Sequence, residues 1–274
     1  MPELPEVETL RRDLERSVRG ATIVTTTLGR LRSVRRYDDP ERFVAQTEGV
    51  AFAAFGRHGK YLYAHLSSGE TLVVHLRMSG QVRLVESVDA PLAAHTHIRF
   101  SLGDGRELRF IDPRTFGEMW VTSDDVPELR HLGPDALVAL EDAPGFRESL
   151  RHRRSAVKGV LLDQATQAGI GSIYADEACF LAAVRPTRSS ATLTRPAVER
   201  LRVALLTVLH EGIEARGSTL GDGQYVDLWG EPGAYGAVHR VHARAGQGCP
   251  RCGSILRRVI VAGRSAVFCP RCQR

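Results

Sequence analysis

The stretch CPRCGSILRRVIVAGRSAVFCPRC, residues 249–272, contains two identical four-residue knuckles separated by sixteen residues. This spacing is typical of a four-cysteine zinc site, in which each knuckle supplies two thiolates to one tetrahedral ion. Disulfide bonds are the alternative, but the chain shows no basic-then-apolar order of a signal peptide at its start. We therefore predict one structural zinc ion with four protein ligands, leaving no position open for a substrate. The predicted ligands are Cys249, Cys252, Cys269 and Cys272.

Between the knuckles, two apolar runs are joined at Ala262-Gly263-Arg264-Ser265, a pattern that predicts a β-hairpin with Arg264 at its tip. The surrounding segment, residues 233–274, has no Asp or Glu. Its positive charges outweigh the −2 of a zinc ion bound by four thiolates, so we expect this ribbon to face phosphates. The eight arginines are Arg240, Arg244, Arg251, Arg257, Arg258, Arg264, Arg271 and Arg274.

Composition gives a broader indication of the partner. The 274 residues carry 37 basic and 32 acidic side chains, a formal net charge of +5, and no apolar run of membrane-spanning length. We expect a cytoplasmic, nucleoid-associated monomer with no membrane partner and a polyanionic ligand, most simply nucleic acid. Charge alone does not separate DNA from RNA or from an acidic protein. Only two of the basic residues are lysines, Lys60 and Lys158, which marks both positions as candidates for a compact ammonium group.

The order of periodic patterns predicts an α+β protein of three domains. Apolar residues at helical spacing predict an amphipathic helix over residues 3–19, and short β-rich runs follow it up to residue 122. Such a series of strands predicts a β-sandwich or barrel in residues 1–133. Helical patterns then predict an α-rich domain over 134–237, including one helix over 155–168, and residues 238–274 form the cysteine module.

The first residues, MPELPEVETL, raise a question of chemistry. Removal of Met1 leaves Pro2 with a free secondary amine, which can attack an aldehyde-like carbon and form an iminium ion. An α-amine titrates near pH ~8, so part of it is unprotonated at neutral pH. A carboxylate, Glu3, follows at once. The alternative is an ordinary helix start.

The segment GIGSIYADE, residues 169–177, places glycines before Ser172 and a new helix. Free backbone N–H groups at such a turn bind phosphate readily, so the segment predicts a relative of the helix-turn-helix, with Ser172 as the N-cap. An ordinary corner between two helices is the alternative.

Six motifs together resemble the bacterial formamidopyrimidine-DNA glycosylase (Fpg/MutM) family. They are PELPEVET at 2–9, GKYL at 59–62, HLRMSG at 75–80, DPRTFG at 112–117, GIGSIYADE at 169–177, and the zinc ribbon. Nei-type relatives typically open with PEGPE, so Leu4 favours the formamidopyrimidine branch. The resemblance implies an N-terminal β-sandwich with an N-terminal helix, a helix-two-turn-helix domain and a C-terminal zinc ribbon hairpin.

The resemblance also implies an activity. It is a bifunctional DNA glycosylase and AP lyase of base excision repair that acts on oxidised purines in damaged double-stranded DNA. Pro2 would attack C1′, Glu3 would protonate the sugar ring oxygen, Lys60 would serve β-elimination, and Arg264 would assist δ-elimination. Extruding a base costs a few kcal/mol, which inserted side chains partly offset. The implied DNA contacts are His95, Arg114, Arg154, Lys158 and Ser172, with Met78, Arg114 and Phe116 filling the gap left by the lesion.

Three positions depart from the family pattern. Ser172 replaces the usual Asn, Arg77 replaces a Gly directly before Met78, and Thr115 replaces an Arg. These departures leave open a preference for oxidised pyrimidines, as in Nei-type enzymes, or a catalytically weakened DNA-binding homologue. If Met1 stays in place, Lys60 is the alternative nucleophile.

Overall fold

The computed structural model describes residues 1–123, 126–151, 153–221 and 223–274. The described chain forms two compact units. The first contains Met1–Arg130 and Ala215–Gly236, and the second contains His131–Glu214 and Ala237–Arg274. The division into three domains at 133/134 and 237/238 stays a prediction.

The first unit is a β-sandwich preceded by a helix, as predicted. Helix α1 (Leu4–Ser17) is followed by eight strands, with α2 (Glu41–Thr47) between the first two. The strands are β1 (Ile23–Leu28), β2 (Phe52–His58), β3 (Tyr61–Leu66), β4 (Thr71–His75), β5 (Gln81–Val85), β6 (Thr96–Leu102), β7 (Glu107–Ile111) and β8 (Glu118–Thr122). They pair in two four-stranded sheets, β1-β6-β7-β5 and β2-β3-β4-β8, with antiparallel neighbours throughout.

Helix α1 forms where the sequence predicts it because its apolar residues recur at helical spacing. Val7, Leu10 and Leu14 are buried in one core cluster with Phe52 and Phe100, one from each sheet. Full burial of one such side chain contributes about 1.5–3 kcal/mol. The helix therefore closes the sandwich core and holds its own N-terminus in a fixed position.

The second unit is helical and ends in a two-stranded hairpin. Its helices are α3 (Ala136–Glu141), α4 (Ala143–Arg151), α5 (Val157–Leu162), α6 (Ser172–Leu181) and α7 (Arg195–Glu214), and the hairpin pairs β9 (Arg257–Val261) with β10 (Arg264–Phe268). Four short 3₁₀ helices join the longer elements of the described residues. They are Leu31–Val34, Pro127–Leu129, Ser190–Thr192 and Tyr235–Val238. The apolar residues between the knuckles pack on α6, where Phe180 shares a cluster with Leu256 and Val267.

Two details of the predicted helices are wrong. The helix expected over 155–168 ends at Leu162, because the Asp163 carboxylate accepts hydrogen bonds from the Ala165 N–H and the Thr166 hydroxyl and so favours a turn. Ser172 is the first residue of α6 rather than its N-cap, which is Gly171.

Candidate functional site

The start of α1 is buried together with the two residues proposed for the chemistry. Pro2 and Glu3 are buried, while Met1 is 41% exposed. The Glu3 N–H donates to Glu6 Oε2 at 2.7 Å, and the other oxygen of Glu6 accepts from the Ser218 N–H at 2.8 Å. Glu6 thus fixes the backbone beside Pro2. Sequence reasoning missed this role because an acidic residue in a first helical turn is common.

Residues 215–236 belong to the first unit although they are distant from its other residues in sequence. Contacts with α1 that no local sequence pattern predicts hold them there. Arg216 contacts Asp13 of α1 at 2.5 Å and Asp227 at 2.7 Å. Burial alone would lower the pKa of Arg216, but its hydrogen bonds to these two carboxylates raise the pKa above its ordinary value. The segment is therefore tied to α1 at two points, Ser218 and Arg216.

Lys60 lies in the two-residue turn that joins β2 to β3. Its neighbour Gly59 takes φ of +58°, which the first position of such a turn requires and which glycine adopts without strain. Lys60 is only 6% exposed. The pKa of the nearby His75 is lowered to about 3, mainly by burial. The positive charges of Arg77 and Lys60 lower it further by repelling the protonated form of the imidazole. His75 is therefore neutral at physiological pH.

The three proposed gap-filling residues lie on two loops of the first unit. Met78 follows β4, and Arg114 and Phe116 follow β7. Met78 and Phe116 are 40% and 39% exposed, which is unusual for large apolar side chains and agrees with a role outside the core. The Arg114 guanidinium lies 4.9 Å from the centre of the Phe116 ring.

One buried carboxylate, Asp112, connects these loops. It accepts hydrogen bonds from the Ser79 hydroxyl at 2.5 Å, the Gly117 N–H at 2.7 Å and the Arg114 N–H at 3.1 Å. Its backbone N–H donates to the carbonyl oxygen of His95, another proposed DNA contact, at 3.0 Å. Asp112 was not predicted as a site residue because the contacts that connect it to the other loop and to His95 are made with residues distant in sequence.

In the second unit, the four knuckle cysteines converge. Their sulfur atoms all lie within 4.8 Å of one another, with Cys252 and Cys269 at 3.5 Å and Cys249 and Cys272 at 4.0 Å. Tetrahedral Zn–S bonds of about 2.3 Å place sulfurs about 3.8 Å apart, so the cluster fits one structural zinc ion. The fifth cysteine, Cys179, is fully buried on α6, and burial raises its pKa to about 12.

The hairpin above this cluster turns through Ala262 and Gly263, both with positive φ. Two consecutive positive φ values are typical of the type I′ turn that suits the twist of a hairpin. Arg264 is exposed and pairs with Val261 as the first residue of β10, so it lies immediately after the tip rather than on it.

The two remaining basic predictions differ in their exposure. Arg154 is exposed, as a phosphate contact requires. Lys158 is fully buried, with its ammonium 2.7 Å from Asp176 and 2.5 Å from the Ser265 carbonyl oxygen. The ammonium of Lys158 thus holds the backbone next to Arg264, and its predicted contact with DNA stays a prediction.

Three family models match this chain in sequence. They are the formamidopyrimidine-DNA glycosylase N-terminal domain over residues 1–119, the formamidopyrimidine-DNA glycosylase H2TH domain over 132–223, and the zinc finger found in FPG and IleRS over 246–274. The chain belongs to the formamidopyrimidine-DNA glycosylase family. This confirms the resemblance predicted from the motifs, and DNA glycosylase and AP lyase function in base excision repair follows from membership of this family.

Curated relatives match this chain over 94% or more of their own length. A formamidopyrimidine-DNA glycosylase of Acaryochloris marina is 41% identical over 284 residues, covering 100% of this chain and 99% of the relative. One from Moorella thermoacetica is 45% identical, covering 94% of each. The MutM (Fpg) crystal structure from Thermus thermophilus has a TM-score of 0.87 at 39% identity, covering 99% of this chain and 98% of that one. Lactococcus lactis Fpg in complex with abasic-site DNA has a TM-score of 0.89 at 32% identity, covering 99% of each chain.

Proposed function

We propose that this protein excises oxidised purines, such as 8-oxoguanine and formamidopyrimidines, from damaged double-stranded DNA and then cleaves the resulting abasic site. The observation that carries the proposal is the pair Pro2 and Glu3, buried at the start of α1 and fixed by Glu6. Met1 is exposed and precedes a small residue, so it is accessible to removal. Removal frees the secondary amine of Pro2.

The chemistry then follows from that amine. The Pro2 nitrogen attacks C1′ of the damaged nucleotide, and the bond from C1′ to the base breaks with its electron pair leaving on the base. The Pro2 nitrogen then loses its proton, and the departing base gains one. Glu3 donates a proton to the ring oxygen as the bond from C1′ to that oxygen breaks, and the lone pair regained by the nitrogen forms the iminium ion. Lys60 acts in the proton transfers of β-elimination, which expels the 3′ phosphate. Arg264 binds the 5′ phosphate, which leaves by δ-elimination.

DNA binding is assigned to both units. In the first unit we propose that His95 and Arg114 contact phosphates, while Met78, Arg114 and Phe116 enter the gap left by the extruded nucleotide. In the second unit we propose contacts from Arg154 and Ser172. The absence of acidic residues from 233 to 274 supports a polyanionic ligand, since each arginine-phosphate contact releases counterions. Lactococcus lactis Fpg, which has the same fold, was solved with abasic-site DNA.

Two further parts of the proposal concern the setting of the protein. We propose that it acts as a monomer in the cytoplasm, associated with the nucleoid. Within the described ranges, no helix is both long and apolar enough to cross a membrane.

Borohydride trapping tests the nucleophile directly. Protein freed of Met1 is incubated with an 8-oxoguanine duplex and sodium borohydride, and the cross-linked residue is mapped by mass spectrometry. We expect the adduct on Pro2, loss of the adduct in Pro2→Gly, and its retention in Lys60→Ala, because borohydride reduces an iminium before elimination is needed.

An adduct on Lys60 would keep the glycosylase and change its nucleophile. Absence of an adduct, with lesion DNA still bound, would favour a catalytically weakened binding protein. A panel of duplexes with oxidised purines and oxidised pyrimidines separates the proposed preference from a Nei-like one, and faster excision of pyrimidines would overturn it.

A further inference from the structure

Glu118, the first residue of β8, has three arginines on its carboxylate. It lies opposite His75 in the sheet and its side chain is only 5% exposed. Arg77 approaches one oxygen at 2.7 Å, and Arg36 and Arg35 approach the other at 3.2 and 3.3 Å. Burial alone would raise the pKa of Glu118, but the hydrogen bonds from Arg77 and Arg36 lower it, so the group is an anion.

Arg77 reaches Glu118 from the residue directly before Met78. Arg77 has φ of +53°, a left-handed conformation that costs a non-glycine residue roughly 1–2 kcal/mol. Its N–H donates to His75 Nδ1 at 2.9 Å. Backbone and side chain are thus both held, and the exposed Met78 extends from a residue with little freedom.

Arg35 connects the same carboxylate to the second loop. Its guanidinium donates to the carbonyl oxygens of Phe116 at 2.8 Å and Gly117 at 3.1 Å. Arg36 is anchored separately, with its guanidinium carbon 3.5 Å from the centre of the Trp120 ring. Glu118 is therefore connected, through Arg77 and Arg35, to both the loop that carries Met78 and the loop that carries Phe116.

We propose that Glu118 is a positioning residue that holds Met78 and Phe116 in the arrangement required to replace an extruded nucleotide, acting through Arg77 and Arg35. The inference rests on the proposed function, since it assumes that these side chains enter DNA. It also accounts for Arg77 at a position where the family usually has glycine: the strained backbone is retained, and the added guanidinium ties it to Glu118.

The physical reason is preorganisation. Insertion of Met78 and Phe116 costs less conformational entropy when the loops that carry them are already ordered. The resulting increase in affinity applies only to DNA with an extruded or missing nucleotide, because undamaged DNA has no gap to fill. Neutralising Glu118 leaves three guanidinium groups clustered without their shared anion. Their mutual repulsion then separates the two loops.

The experiment compares Glu118→Gln with Glu107→Gln. Glu107 is the matched control because it is a fully buried carboxylate of the same sandwich, paired with Arg99 and Arg109, and makes no contact with either loop in the described residues. For each protein, dissociation constants are measured for a duplex with a tetrahydrofuran abasic analogue and for the matched undamaged duplex. A 2-aminopurine base opposite the tetrahydrofuran reports, by fluorescence, whether side chains fill the gap.

We expect Glu118→Gln to lower the preference for the tetrahydrofuran duplex by about tenfold and to reduce the fluorescence change, with affinity for undamaged DNA nearly unchanged. Glu107→Gln should keep the wild-type preference even if it lowers the melting temperature. A Glu118→Gln preference within twofold of wild type, or an equal loss in Glu107→Gln, would overturn the inference. If the wild-type protein itself shows no preference, the proposed function fails instead.

Arg77→Gly provides a second variant that keeps the backbone conformation. It removes one of the two connections, so we expect a smaller loss of preference than in Glu118→Gln. In the double variant the two losses should not add, because both remove the same ion pair. Full additivity would show that Arg77 and Glu118 act separately, which contradicts the proposal.

Discussion

The protein presents candidate DNA-contacting side chains on short turns in both units, but the two units fix those turns differently. In the second unit, the β9–β10 hairpin that carries Arg264 closes at its base with four cysteine sulfurs within 4.8 Å of one another. In the first unit, the loops that carry Met78 and Phe116 are held by two buried carboxylates, Asp112 and Glu118. One turn depends on a metal ion and the other on a network of hydrogen bonds and ion pairs.

The difference shows where rigidity comes from in small structural elements. The hairpin module has few buried apolar residues. The binding free energy of a zinc ion, about 10–16 kcal/mol, therefore provides most of the free energy that stabilises its fold. The sandwich loops lie on a large core, and they need only to be oriented on it. Single charge-assisted hydrogen bonds of about 1.5–3 kcal/mol are enough for that purpose.

The largest expected effect is on the metal-dependent turn. Cys249→Ser should remove zinc, unfold the β9–β10 hairpin and strongly weaken DNA binding, since the loss of zinc-binding free energy of about 10–16 kcal/mol exceeds the stability of the module. Metal content and duplex affinity measure this. Cys179→Ala, which changes a buried cysteine outside the cluster, should keep one zinc per chain. Unchanged binding after chelation would contradict the structural role of the ribbon.

The next effect concerns the carboxylate that connects the loops. Asp112→Asn should lower the free energy of unfolding by about 2–3 kcal/mol, because the two carboxylate oxygens accept from Ser79 and Gly117 separately, whereas the amide has one acceptor oxygen and an NH₂ group that only donates. Denaturant unfolding measures the stability, and amide exchange over 113–117 should become faster. Asp89→Asn at an exposed carboxylate is the control and should change neither. If exchange at 113–117 stays slow, the loop is held by other contacts.

The stability of the first unit should depend on pH through His75, which precedes the loop that carries Met78. The pKa of His75 is about 3 when folded, against 6.5 ordinarily, mainly because of burial. Between pH 6.5 and about pH 3, His75 is therefore protonated in the unfolded chain and neutral in the folded chain. The free energy of unfolding should decrease as the pH is lowered through this range, by up to about 1.4 kcal/mol per pH unit. His75→Gln should flatten this part of the stability curve, and an unaltered slope would show that His75 is protonated in the folded protein.

The smallest effect tests backbone strain. Thr115 has φ of +57°, which is rare for a β-branched residue, and its carbonyl oxygen accepts a hydrogen bond from Arg32. Thr115→Gly removes the strain but increases the freedom of the unfolded chain, so we expect a net stabilisation below about 1 kcal/mol. Thermal unfolding measures it. A clear loss of stability would show that the threonine side chain makes a favourable contact.

Much of the architecture could be predicted because its signals are local. The alternating pattern KYLYAHL predicts β3, the helical spacing of Leu4, Val7 and Leu10 predicts α1, and the cysteine knuckles predict the metal ligands. The helix expected over 155–168 was predicted too long, because the Asp163 side chain competes with the helix for backbone N–H groups. Such competition depends on one side-chain conformation and not on periodicity.

The sequence by itself determined the family, the zinc ligands and the order of sandwich, helices and ribbon, since each depends on spacing between near neighbours. Only the tertiary structure decided that Lys158 is buried on Asp176, that Asp112 binds Ser79, and that Glu118 gathers three arginines. The partners in each of these contacts are at least 18 residues apart along the chain. Sheet register and helix packing bring them together, and contacts made in this way leave no periodic pattern in the chain.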